Sequence, residues 1–176
     1  SSDETIGGIY QKLFGTSEKA MKRNTLSSDE TIGGIYQKLF GTSDQQFEKN
    51  NFNIFEFCLK VGQENVLPII TVYVLHAYKI FNLIPYFKFE KLIYEIANGY
   101  HRQNPYHNDL HAADMVQTLF VFNINAKFQN ILEMSYLDLF SMFFAASVHD
   151  LGHPGFTNNY LVNTKDPIAI QYNDKS

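Results

Sequence analysis

Four of the chain's six histidines fall between Asn104 and Gly155, in two pairs of equal spacing: His107 with His111, and His149 with His153. Asp150 adjoins the second pair. Imidazole lone pairs and a carboxylate together make a donor set suited to a divalent metal. On a helix, residues four apart share a face, so His107 and His111 are expected to project together, with Asp114 and Thr118 farther along. By itself that pair reads three ways: zinc ligands, one ligand plus a proton donor, or a solvated surface pair. His149 and Asp150 end an apolar run, Tyr136 to Val148, in which Ala145, Ala146 and Ser147 are small enough for close helix approach. Such a helix is expected to be deeply buried. A carboxylate buried without a partner costs several kcal/mol, so a cation is expected beside it. The alternative is a helix end open to water, which Gly152 and Pro154 permit.

The elements that must position these groups read as helices throughout. Asn53 to Lys60 is a short helix, and Val66 to Phe87 a buried core helix. Phe89 to His101 follows, with Leu92, Ile93, Ile96, Ala97 and Tyr100 on one side. Asn104-Pro105 breaks the pattern, because the residue before proline is pushed out of the α region. Helices are then expected over about His107 to Ala126 and Ser135 to Asp150, with short ones at Asn158 to Asn163 and Pro167 to Tyr172. Gly152, Pro154 and Gly155 punctuate the stop between them. β-Branched residues fall within helical periods, and the fold class is all-α.

Upstream, Ser1 to Ser17 recurs letter for letter as Ser27 to Ser43. Each copy opens on a capping box (Ser1 with Glu4, Ser27 with Glu30) and carries apolar residues at helical spacing. Residues 1–43 therefore read as a duplicated amphipathic segment outside the core, suited to docking or oligomerisation. Residues 44–51 form a polar linker, and the apolar body runs over 52–176.

With 45% of its 176 residues hydrophobic, the chain has material for a sizeable core. A net charge of −4 without any basic block gives no electrostatic case for a nucleic-acid polymer. The stretch from Val66 to Phe87 is long enough to raise the membrane question, but His76, Lys79 and Asn82 make a transmembrane segment costly. A single cysteine, Cys58, excludes an internal disulfide and suits a reducing, cytoplasmic setting, with room for peripheral attachment to a membrane.

The run NPYHNDLHAADMVQTL, followed by HDLGHPGFTNNYLVNT and YNDKS, resembles the catalytic domain of the 3',5'-cyclic nucleotide phosphodiesterases, within the wider HD-domain metal-dependent phosphohydrolases. The upstream FNIFEF and the approach to Gly99-Tyr100 resemble that domain's beginning. The resemblance implies the N-terminal portion of a multi-helix catalytic fold over 52–176. It implies that His107 protonates the leaving group, that His111 and His149 bind a first metal, and that Asp150 bridges it to a second. The ions would be Zn2+ and Mg2+ (or Mn2+). His153 would stand near the second metal's water shell, Tyr106 and Asn158 would line the pocket by the phosphate, and Asp114 would support from behind. The substrate would be cyclic AMP or cyclic GMP, cleaved to a nucleoside 5'-monophosphate in signal transduction.

One departure is plain. The family takes a further aspartate from a helix well beyond the second motif, and neither Asp166 nor Asp174 matches it. The glutamine that grips the purine has no match either. The resemblance thus implies a truncated domain, inactive alone, whose apolar faces are partly uncovered. A non-catalytic fragment that binds metal or a partner is the alternative, and another HD-domain phosphohydrolase is a third reading.

Overall fold

A computed structural model of the chain describes residues 51–175. The duplicated segment 1–43 and nearly all of the linker lie outside the described residues. Every regular element among those described is helical, in keeping with the all-α reading.

Helix α1 (Ile54–Val61) starts where Asn53 accepts the N–H groups of Phe55 and Glu56 through its side chain, at 3.1 and 3.2 Å. Gly62, at φ 81°, ends it and turns the chain directly into α2 (Gln63–Ala77). α2 is the centre of the body. It is buried from Val66 through Val72 and again at Val74 and Leu75, so it is apolar nearly all round and needs neighbours on every side. It packs against α1 and against three helices farther along, Tyr86–Asn98, Asp109–Ala126 and Tyr136–Val148.

The expected single helix from Val66 to Phe87 is corrected here. α2 stops at Ala77, Lys79 takes a left-handed φ of 57°, and a 3₁₀ turn spans Ile80–Asn82. Pro85 then caps α3 (Tyr86–Asn98), since a proline ring suits a helix start and not its interior. α3 also ends before the predicted His101, at Gly99, well ahead of the proline at 105.

α4 (Asp109–Ala126) begins later than the predicted His107, because the Asn108 carboxamide caps it by accepting the N–H groups of Leu110 and His111 at 3.0 and 3.2 Å. His107 therefore sits in the loop before the helix, and the expected sharing of one helical face by His107 and His111 is overturned. α4 runs on through Lys127, at φ 54°, into the single turn α5 (Phe128–Ile131).

α6 (Tyr136–Val148) opens on a reciprocal capping box between Ser135 and Asp138 and packs on α4 and α2. Deep burial of this helix was expected, but the structure buries one stripe: Leu139, Phe143, Ala146 and Ser147. Tyr136 and Leu137 are exposed, as is Ala145. The short helices α7 (Asn158–Asn163) and α8 (Pro167–Gln171), capped by Thr157 and Asp166, pack on one another. No described helix is long and apolar enough to cross a membrane.

The α2–α4–α6 contact is sealed by aromatic rings. Phe143 is fully buried and stacks on Tyr78, with centroids 5.4 Å apart. Phe120 meets Tyr73 and Tyr78 edge-on. Phe143→Ala removes a ring from this junction and is expected to lower stability by about 3–5 kcal/mol, read as a shift in the urea unfolding midpoint of the chain.

Candidate metal centre

Two ends of the bundle meet at one point: the first turn of α4 brings His111, and the last turn of α6 hands over to His149 and Asp150. Leu139 and Phe143, on the buried stripe, seat α6 on the core. Near its end the Tyr100 hydroxyl donates to the Ser147 carbonyl at 3.0 Å. Burial pushes this phenol's pKa up to about 12, which keeps it a neutral donor. The tie fixes the position from which His149 and Asp150 leave the helix.

His149 Nδ1 lies 2.9 Å from the Ala146 carbonyl, which can only accept. The ring must donate there, leaving the Nε2 lone pair free. That nitrogen stands 3.3 Å from His111 Nε2 and 3.1 Å from Asp150 Oδ2, and His111 Nε2 is 3.5 Å from the same oxygen. Three electron-rich atoms are thus held together by two separate helix ends. With the His111 proton on Nδ1, all three present lone pairs to one point, where a cation would satisfy them. Ligand atoms about 2.1 Å from one divalent ion stand roughly 3.0–3.4 Å apart, for angles between octahedral and tetrahedral. The observed triangle, 3.1 to 3.5 Å on its sides, is close to that spacing, so the residues present fit a metal ion. The carbonyl-rich C-terminal end of α6 adds negative potential on the same side.

His111 is kept below the ordinary histidine range, first by burial, then by nearby His149, with Asp150 pulling the other way. A lowered value favours the neutral ring, the form that binds a metal. Tyr106 covers one of its faces, with ring centroids 4.3 Å apart.

His107 reaches the cluster from the loop between α3 and α4. Its ring is edge-on to His111 at 6.2 Å and stacks on His153 at 3.9 Å, with 17° between the planes. The structure therefore gathers His107, His111, His149, Asp150, His153 and Tyr106. Asp114 is exposed farther along α4, lining with His111 and Tyr106 a cleft of about 470 Å³ bordered on the other side by Phe52 and by Phe55 of α1. Asn158 is exposed in the first turn of α7, and no hydrogen bond or ring contact among the described residues joins it to the cluster.

Several supporting residues were not legible beforehand. Asp109 is 1% exposed and receives Arg102 Nε at 2.6 Å and Gln63 Nε2 at 2.7 Å, which pins the start of α4 to α2 and to the preceding loop. An acid in the first turn of a helix is unremarkable in a sequence, and nothing marks its burial.

The sequence of this region matches the family described as 3'5'-cyclic nucleotide phosphodiesterase over residues 106–176. That stretch spans every member of the cluster. Residues 106–176 are thus similar to the 3'5'-cyclic nucleotide phosphodiesterases. Among curated phosphodiesterases, the chain is similar to 3',5'-cyclic-AMP phosphodiesterase 4 of Dictyostelium discoideum, 42% identical over half of this chain and 8% of that protein. It is 32% identical to a probable 3',5'-cyclic-AMP phosphodiesterase of Caenorhabditis elegans over 66% of this chain and 17% of the relative. A human dual specificity calcium/calmodulin-dependent 3',5'-cyclic nucleotide phosphodiesterase 1B is 42% identical over 46% and 15% respectively. The chain thus spans between 8% and 17% of the length of these phosphodiesterases.

Two histidines couple the stability of the chain to pH. His76, on α2, is lowered by burial, as His111 is. A group whose folded pKa is depressed and whose neutral form is basic binds fewer protons folded than unfolded. Stability is then whole above the ordinary value of 6.5 and falls as pH drops below it, until the folded-state values are reached. Metal-free chain is expected to unfold at lower urea at about pH 5.5 than at about pH 7.5, and His111→Gln should shrink the difference by removing one of the two protons taken up.

Proposed function

We propose that this chain supplies the first-metal half of a centre that hydrolyses 3',5'-cyclic nucleotides, cyclic AMP or cyclic GMP, to nucleoside 5'-monophosphates. The observation that carries the proposal is the triangle of His111 Nε2, His149 Nε2 and Asp150 Oδ2, within a segment of the phosphodiesterase family. These three residues would hold Zn2+, with Mg2+ or Mn2+ as a second ion that Asp150 would share. When bound, the ions polarise the phosphoryl oxygens and lower the pKa of a water.

The chain's own residues do the rest. His107, as imidazolium, delivers its proton to the ribose O3' as a water-derived hydroxide bonds to phosphorus and the P–O3' bond breaks. His153 lies flat on that ring and limits its rotation. Tyr106 shields the His111 ring from solvent on one face. Asp114 borders the cleft from the α4 side, and the phosphate-pocket role of Asn158 rests on the family resemblance alone. The duplicated N-terminal segment serves as a docking or oligomerisation element, and a cytoplasmic setting fits the lone cysteine Cys58, whose thiol pKa is raised by burial and by nearby Asp109.

Zinc titration and turnover test these roles separately. His149→Ala is expected to weaken Zn2+ binding at least about tenfold in calorimetry, as loss of one of three ligands should. His107→Ala should leave zinc affinity unchanged and, in a protein carrying this segment that turns over cyclic nucleotide, lower kcat by about 10²–10⁴. Loss of zinc from the His107 variant would show that it is a ligand and not the proton donor. A non-catalytic role gains if His149→Ala abolishes zinc binding while no cyclic nucleotide is hydrolysed by the protein in any form.

A further inference from the structure

Asn104 lies buried where the two histidine-bearing loops cross. Its Nδ2 donates to the carbonyl of His107 at 3.1 Å and to the carbonyl of His153 at 2.8 Å. Both partners can only accept, so the amide group must face them with its NH2, and each of its two protons is used. The backbone carbonyl of Asn104 accepts from Asn108 Nδ2 at 2.9 Å, and the same Asn108 side chain caps α4. One carboxamide therefore links the loop before α4 to the loop after α6.

Gly155 makes the fit possible. It holds φ at +84°, and a Cβ there would stand 2.5 Å from Asn104 Oδ1, closer than such atoms approach. Its N–H donates to His153 Nδ1 at 3.0 Å, which puts the proton of the neutral ring on Nε2 and sets the ring plane. Against that plane lies the ring of His107.

We infer that Asn104 is a positioning residue for His107: by holding the His107 and His153 carbonyls on one NH2 group, it keeps the two imidazoles stacked and aims His107 at the cluster. The inference rests on the reading of His107 as proton donor for its functional meaning, while the stacking itself is measurable without turnover. A residue merely filling space could be replaced by one of like shape. Asn104→Asp keeps the shape but offers two acceptors to two carbonyls, and Asn104→Leu keeps the bulk with no donor.

The test is nuclear magnetic resonance on the full chain with labelled histidine. In both variants the ring protons of His107 and His153 are expected to lose the upfield displacement that stacking causes, with helix content by circular dichroism kept. Retained displacement in either folded variant overturns the inference. In the unsubstituted chain, the Asn104 side-chain amide protons should exchange at least about tenfold more slowly than those of exposed Asn159. Equal rates overturn it whether or not the variants fold. The response of His111 and His149 to added Zn2+ reads the metal proposal separately, so failure of either idea is recognisable apart from the other.

Discussion

The buried carboxylate of Asp109 is the constraint on which the site depends. Taken out of water, it must be matched in charge and in hydrogen bonds. Arg102 supplies the charge and Gln63 a second donor, so the loop after α3, the start of α2 and the start of α4 are bound at one residue. Arg102 is partly exposed, which softens its side of the pair, but Asp109 has no water to fall back on. His111 lies two residues farther along the same turn. Any slackness at Asp109 would be passed directly to the triangle of donor atoms.

The opposite wall obeys a different rule. α6 ends by geometry: its last carbonyls, the Tyr100 tie to Ser147 and the turn through Gly152 leave His149 and Asp150 pointing where α4 begins. A helix start, with its exposed N–H groups, disfavours a proton on His111. A helix end beside it welcomes positive charge. The two ends together favour a neutral imidazole on one side and a cation between them.

Much of this was legible in the residues. The all-α class followed from apolar spacing, and the two histidine motifs stood out because imidazoles and a carboxylate recur at short intervals. What escaped were features decided by tertiary partners. Asn104 and Pro105 read only as a helix break, although Gly99 had already ended α3 and Asn104 holds both loops. Spacing placed His107 on a helix with His111, because four-residue spacing is blind to a cap at Asn108. The long apolar run after Val66 hid a left-handed lysine and a proline start, both of which are local and cost little composition. Deep burial of α6 was inferred from its apolarity, yet apolarity states what a helix would bury, not what is there to bury it.

That last point has a consequence for the cell. Tyr136 and Leu137 on α6, with Ile131 and Leu132 just before it, leave a run of large apolar side chains in water among the described residues. Surface of this kind is what chaperones hold and degradation machinery samples, and steady-state abundance follows how long it stays uncovered.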